Sequence, residues 1–299
     1  MRWLVFGAKG WIGSQVCERL QAVGEQVIDC NEHFQSYMEV LEAIELVHPD
    51  RIVCAIGRTF GPGYTTIDYL EQPGKLEENL LSNLLLPTWI AQAAKGIPML
   101  YFGTGCIYES NPSKKIFTES DTPNFTGSSY STVKGITDRL MQGFPHVINA
   151  RIRMPISENY HPRDFITKLL GYSKITSLPN SMTVLSDILP LLLAVLEDGR
   201  FFGTVNAVNP CITNHVWILE THKIITGKHH DYSLESFESQ SQRLQSKRSN
   251  NELDPAKLQS WRAYLHPEIA KKYSLPPFVP NLQESLERTI QRRTHKETS

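Results

Sequence analysis

No two cysteines are spaced as CxxC, and the five that occur (Cys17, Cys30, Cys54, Cys106 and Cys211) are odd in number and scattered. That pattern argues against a disulfide framework and against a zinc site. Charge of one sign is also missing. The formal net charge of the 299 residues is -1, which leaves no electrostatic footprint for nucleic acid. No apolar run approaches the ~20 residues that a membrane helix needs. The N-terminus opens on the strand-like "RWLVFG" with no signal-peptide architecture, so a cytoplasmic protein is expected. Internal repeats and low-complexity linkers are absent. What remains is 40% hydrophobic and 20% charged residues, a common globular balance.

Apolar runs alternate with helical periodicity through the first half. "RWLVF", "EQVIDC", "RIVCAIG", "PMLYFGTG" and "HVINARIRM" read as strands. Between them, "SQVCERLQAVG", "SYMEVLEAIELVHPD", "KLEENLLSNLLLPTWIAQAAKG" and "SYSTVKGITDRLMQGF" read as helices, the third disturbed at Pro87. Strands alternating with helices predict a parallel sheet covered on both faces. Beyond about residue 155 the alternation loosens, although "FFGTVNAVNP" is again strand-like. The basic tail "ERTIQRRTHKETS" reads as a solvated, partly frayed terminus.

The first strand runs into "GAKGWIG", with glycines at 7, 10 and 13. A dinucleotide pyrophosphate needs a tight turn, close backbone approach and a helix N-terminus aimed at its charge. Strand, turn, helix and second strand within the first 30 residues supply that setting. Gly7, Lys9, Gly10, Trp11, Ile12 and Gly13 are therefore candidate cofactor-binding residues. Asn31 falls where the second strand would meet the adenosine ribose, with Asp29 and Glu32 beside it. Asn31 would not repel a 2′-phosphate and Lys9 can help hold one, which favours NADPH with NADH left open. Asp29 reads equally as a solvated strand end.

The fold class expected is thus α/β. A Rossmann-type doubly wound parallel sheet spans residues 1–152, with later returns to the sheet. A smaller C-terminal substrate-binding region spans residues 153–299. "YSTVK" places Tyr130 and Lys134 four apart, on one helix face. A lysine ammonium beside a phenol lowers its pKa and lets tyrosine pass a proton near neutral pH. The spacing GxxGxxG, the strand ending at Thr104 and the YxxxK pair, in that order, resemble the short-chain dehydrogenase/reductase superfamily. That resemblance implies that Thr104 holds a substrate carbonyl, Tyr130 protonates its oxygen and Lys134 supports Tyr130. It also implies that Ala55, Ile56 and Gly57, in the loop after the fourth-strand position, pass the cofactor. Asn83 matches the superfamily's helix asparagine. A homodimer is expected because dimers are common there.

Longer phrases narrow the likeness. "GRTFGPGYTTIDYLEQPGKLEEN", "GTGCIY", "DTPNFTGSSYSTVKG", "RIRMPISENYHPRDFITK", "LPNSMTVLSDILP" and "RSNNELD" resemble the bifunctional nucleotide-rhamnose synthase/epimerase-reductases. These are related to dTDP-4-dehydrorhamnose reductase. The resemblance implies conversion of UDP-4-keto-6-deoxy-D-glucose to UDP-L-rhamnose, by inversion at C3 and C5 and reduction at C4. In that pattern Cys106 and Lys168 are the acid/base pair of the inversion. Arg58, Thr59, Arg163 and Asn180 lie near the substrate, as do Thr104 and Cys106. Phe60 stands where the family phrase has histidine, so no polar role is expected there. Two other readings stay open: a 4-keto reductase served by a separate epimerase, and a catalytically silent NADP-binding regulatory subunit.

Overall fold

The computed structural model describes residues 1–298. The first half runs β1 (Arg2–Phe6), α1 (Trp11–Ala22), β2 (Gln26–Cys30), α2 (Tyr37–Val47), β3 (Arg51–Cys54), α3 (Leu76–Leu80), α4 (Leu86–Ala93), β4 (Met99–Thr104), β5 (Ile116–Phe117), α5 (Ser129–Met141) and β6 (Val147–Ile152). The second runs α6 (Phe165–Leu169), β7 (Lys174–Ile175), α7 (Leu185–Asp198), β8 (Gly203–Asn206), α8 (His215–Thr226), β9 (Ser233–Leu234), α9 (Phe237–Arg243), β10 (Glu252–Leu253), α10 (Ala256–Tyr264), α11 (Pro267–Lys272) and α12 (Leu282–Thr298).

Six strands form one parallel sheet in the order β2-β1-β3-β4-β6-β8. Alternate residues of β1 enter opposite layers. Trp3 and Val5 pack with Leu100, Ile148 and α7, while Leu4 and Phe6 pack with Ile52, Val40 and Ile90. Both faces are covered, so β4 and β6 are buried along their whole length and read as continuous apolar runs. The chain leaves β1 to one side and returns with β3 on the other. Such a reversal opens a crevice at the carboxyl ends of the strands. This is the Rossmann-like α/β fold. β8, from the second half of the chain, completes the sheet beside β6.

Two local expectations are corrected and one is met. The Cys54–Gly57 segment follows the third strand rather than a fourth, because α2 leads straight back to β3 beside β1. The helix is disturbed near Pro87, as expected, without being broken. A π-turn over Leu81–Leu85 joins α3 to α4, and Pro87 sits in the first turn of α4. Proline has no N–H for the carbonyl of residue 83, and Thr137 Oγ1 donates to that carbonyl at 2.6 Å. The basic tail is not frayed through its described part. It forms α12, whose Leu286, Ile290 and Arg293 are buried against α8 and the residue 156–166 region. Its apolar positions recur at helical spacing, and that stripe outweighs the polar composition. Among the described residues, no helix is long and apolar enough to cross a membrane.

Candidate active site

β1 ends in a turn that only glycine can make. Gly7 has φ +76°, and a Cβ on Gly13 would stand 2.1 Å from the Gly7 carbonyl oxygen. Helix α1 therefore sits flush against the turn. Gly10 caps it without a side-chain hydrogen bond, and its first turn carries no acid. Free N–H groups and a positive helix end fit a pyrophosphate. Asn31 follows β2 directly, and its Oδ1 accepts the Lys9 backbone N–H at 2.8 Å. Asp29 instead accepts from the Cys17 thiol at 3.5 Å. These residues fit a dinucleotide, with Lys9 and Asn31 at the adenosine end.

A cavity of about 340 Å³ opens from this turn. Gly10, Trp11, Ile12, Ala55, Ile56 and Gly57 line one end, and Thr104, Cys106, Tyr130 and Lys134 the middle. Thr104 closes β4, and Tyr130 and Lys134 share a face of α5, which Ser128 caps by accepting the Ser131 N–H at 3.0 Å. Tyr130 faces Thr104 with its phenol in this cavity. Burial pushes its phenol up, the nearby Cys106 adds to this, and Thr104 opposes it. Lys134 lines the same cavity as Tyr130, and its own hydrogen bonds run to β4. Its ammonium donates to the Tyr101 hydroxyl and, at 3.2 Å, to the Phe102 carbonyl, the acceptors that β4 presents beneath α5. Burial pulls Lys134 down to about 8, against Cys54 and Asp138.

Two residues past Thr104, the Cys106 N–H donates to Thr104 Oγ1 at 3.1 Å, so the strand end folds back on its own hydroxyl. Lys168 reaches the same cavity from α6. Burial lowers its pKa, Arg163 and Arg248 add to the effect, and Asp164 opposes it. Asp164 caps α6 by accepting the Thr167 N–H at 2.7 Å, and Arg293 of α12 pairs with it at 2.7 Å. The helix carrying Lys168 is thereby tied to the far end of the chain.

The substrate-side residues divide. Thr59, Arg163 and Asn180 line the cavity. Arg58 does not: its Nε pairs with Glu78 at 2.8 Å, which turns the guanidinium away. Asn83 lines the wall, but its amide is engaged elsewhere. It accepts from the Arg58 N–H at 3.0 Å and donates to the Arg58 carbonyl at 2.9 Å, fixing the "GRT" turn. Phe60 lies under Arg163, whose guanidinium stands 3.6 Å from the ring centroid. An aromatic face holds a cation here without a polar group. Arg153, His215 and Arg248 were not singled out from the sequence. Arg248 and His215 line the cavity, and Arg153 lies behind Cys106 at 3.5 Å from its sulfur. Only the arginine-bearing phrases "RIRM" and "RSNNELD" hinted at two of them.

A glycine turn on a parallel sheet, with Thr, Tyr and Lys converging beside it, defines a dinucleotide-dependent enzyme of the short-chain dehydrogenase/reductase type. Residues 3–171 match the NAD dependent epimerase/dehydratase family, and the chain belongs to it. Its cofactor is accordingly a nicotinamide dinucleotide. An uncharacterized protein of Acanthamoeba polyphaga mimivirus, L780, is 46% identical over 276 residues, covering 90% of this chain and 94% of that protein. The crystal structure of L780, described as a UDP-rhamnose synthase, superposes with a TM-score of 0.89 at 43% identity, over 98% of this chain and 99% of that one. A bifunctional dTDP-4-dehydrorhamnose 3,5-epimerase/reductase of Arabidopsis thaliana is 32% identical over 265 residues, 86% of each chain. The chain is an enzyme of this rhamnose synthase/reductase type.

Proposed function

We propose that the chain converts UDP-4-keto-6-deoxy-D-glucose to UDP-L-rhamnose, by inversion at C3 and C5 followed by reduction of the C4 ketone with NADPH. One observation carries this reading: Thr104 and Tyr130 share a single cavity with Cys106 and Lys168. The likeness to the mimivirus synthase and to the plant epimerase/reductase supports it. The Lys9–Asn31 contact at the adenosine end, with no carboxylate in it, favours NADPH over NADH.

A bound nicotinamide supplies the hydride that reduces C4. The chain's own residues do the rest. Thr104 and Tyr130 hold the C4 oxygen, and Tyr130 passes it a proton as the alcohol forms. The same two hydroxyls hold that oxygen while it carries enolate charge during inversion. Cys106 and Lys168 take a proton from C3 or C5 on one face and return one on the other. Burial lowers the Lys168 pKa, which eases release of a proton from its ammonium. Arg163 and Arg248 bring positive charge for the diphosphate, and Arg forks match its oxygens.

The test is incubation with the 4-keto-6-deoxy sugar nucleotide in D2O without coenzyme. Deuterium should enter C3 and C5, and Cys106→Ala should stop this while sparing reduction of pre-epimerised substrate. Reduction without any deuterium entry would leave a 4-reductase only. Failure to oxidise NADPH with either the UDP or the dTDP substrate would favour a regulatory subunit.

A further inference from the structure

Behind Cys106 lies a buried charge to which neither the reduction nor the proton exchange assigns a part. Arg153 follows β6 and is 1% exposed. Its guanidinium donates to the Gly105 carbonyl at 3.4 Å, to Ser249 Oγ at 3.1 Å, to the Ser249 carbonyl at 2.8 Å and to Asn180 Oδ1. All four acceptors are neutral, and among the described residues no carboxylate pairs with it. A guanidinium cannot shed its proton, and a buried cation without a counter-charge is costly. The remaining contact of Arg153 is Cys106 Sγ, at 3.5 Å. That sulfur is the one neighbour able to take up negative charge.

We propose that Arg153 is the fixed counter-cation of the Cys106 sulfur in its anionic form, a positioning residue that makes Cys106, and not Lys168, the proton acceptor in the inversion. The division of labour rests on the epimerase reading; the ion pair itself does not. In the step, the carbon–hydrogen bond breaks and its proton goes to sulfur. The electron pair passes into an enolate that ends on the C4 oxygen. A Lys168 N–H then breaks and delivers its proton to the carbon from the other face. The S–H and the neutral amine exchange protons with solvent, which restores the starting charges.

The surroundings agree with this assignment. Tyr130 from α5 feels Cys106, and Lys168 from α6, Arg163 from the preceding loop and Arg248 from the C-terminal half line the same cavity. His215, at the start of α8, is pulled down to about 4 by burial and then by Arg153, so it stays neutral. The Gly105 carbonyl also accepts from Asn251 Nδ2 at 2.9 Å, which pins the backbone between Thr104 and the sulfur.

The experiment measures iodoacetamide alkylation of each cysteine, by peptide mass spectrometry, near pH 7 and near pH 10. The ratio of the two rates cancels differences in access. In the unmodified protein, Cys106 should keep at least about tenfold more of its high-pH rate near pH 7 than the exposed Cys211 does. Arg153→Gln should erase that advantage, and Arg153→Lys should keep part of it. Equal ratios for Cys106 and Cys211, or an unchanged ratio in Arg153→Gln, would overturn the pairing. The comparison with Cys211 needs no variant to fold. Absence of deuterium exchange with the alkylation pattern intact would remove the epimerase reading and leave the ion pair standing.

Discussion

Thr104, Tyr130 and Lys134 ride on long regular elements: a six-residue strand in the middle of the sheet and a 13-residue helix packed over it. Lys168 and Arg163 ride on a five-residue helix and the loop before it. Backbone ladders and two apolar layers hold the first wall. Side chains hold the second. Asp164 ties Ser157 to Thr167, Arg293 pairs with Asp164, and Phe60 seats Arg163. Hydride chemistry tolerates little misplacement, and the groups to which the proposed function gives it sit on regular elements of the sheet layer. Lys168, a proton-exchange group on the proposed function, sits where one substitution far away in sequence can loosen it, whereas Cys106 stays with the first wall, two residues past Thr104.

The sharpest way to separate the walls is Tyr130→Phe. It should lower reduction of pre-epimerised substrate by roughly 10²–10⁴-fold, read as NADPH oxidation. Because the hydroxyl donates to no buried carboxylate, the melting temperature should hardly move; a variant that unfolds would break the comparison. Next comes Arg293→Met. The Arg293–Asp164 pair is 2% and 0% exposed, so leaving Asp164 alone should cost about 3–5 kcal/mol in urea unfolding. Deuterium exchange at C3 and C5 should fail before coenzyme binding does. Equal loss of both would mean that the walls are not independent.

A third test reads the cost of the stiff wall. Lys134 sits at about 8 against an ordinary 10.5. Between those values the unfolded chain binds the extra proton, so stability rises with pH. The cost is fully present below about pH 8 and gone above about pH 10.5. Lys134→Met should therefore stabilise the fold near pH 7, by up to about 3 kcal/mol. The gap should close across that window; a gap independent of pH would refute it. The smallest effect is expected from Thr137→Val. It takes one donor from the Asn83 carbonyl at the π-turn and should cost about 1–2 kcal/mol in thermal unfolding.

What could be read from the sequence was local in the sequence. The glycine turn, the YxxxK pair and the alternation of strand and helix each lie within a few residues, and periodicity exposes them. Arg153 was not legible because its partners Cys106 and Ser249 lie 47 and 96 residues away. The Arg293–Asp164 pair is equally remote, and the polar tail hid its buried stripe. Arg58 is another case: nothing in its phrase announces the pairing with Glu78. Lys134 was placed correctly on its helix, yet its partner is Tyr101, a residue that reads only as part of an apolar strand.

The stacking of Trp11 on His161, with centroids 5.2 Å apart and planes 7° from parallel, joins the dinucleotide turn to the loop that carries Arg163. It makes this indole a fluorophore built into the seam between coenzyme and sugar. Burial, and then Arg163, hold the imidazole pKa down, which favours the neutral ring against the indole. Occupancy of either side should change its emission, so the order in which the two ligands arrive can be followed without attaching a label.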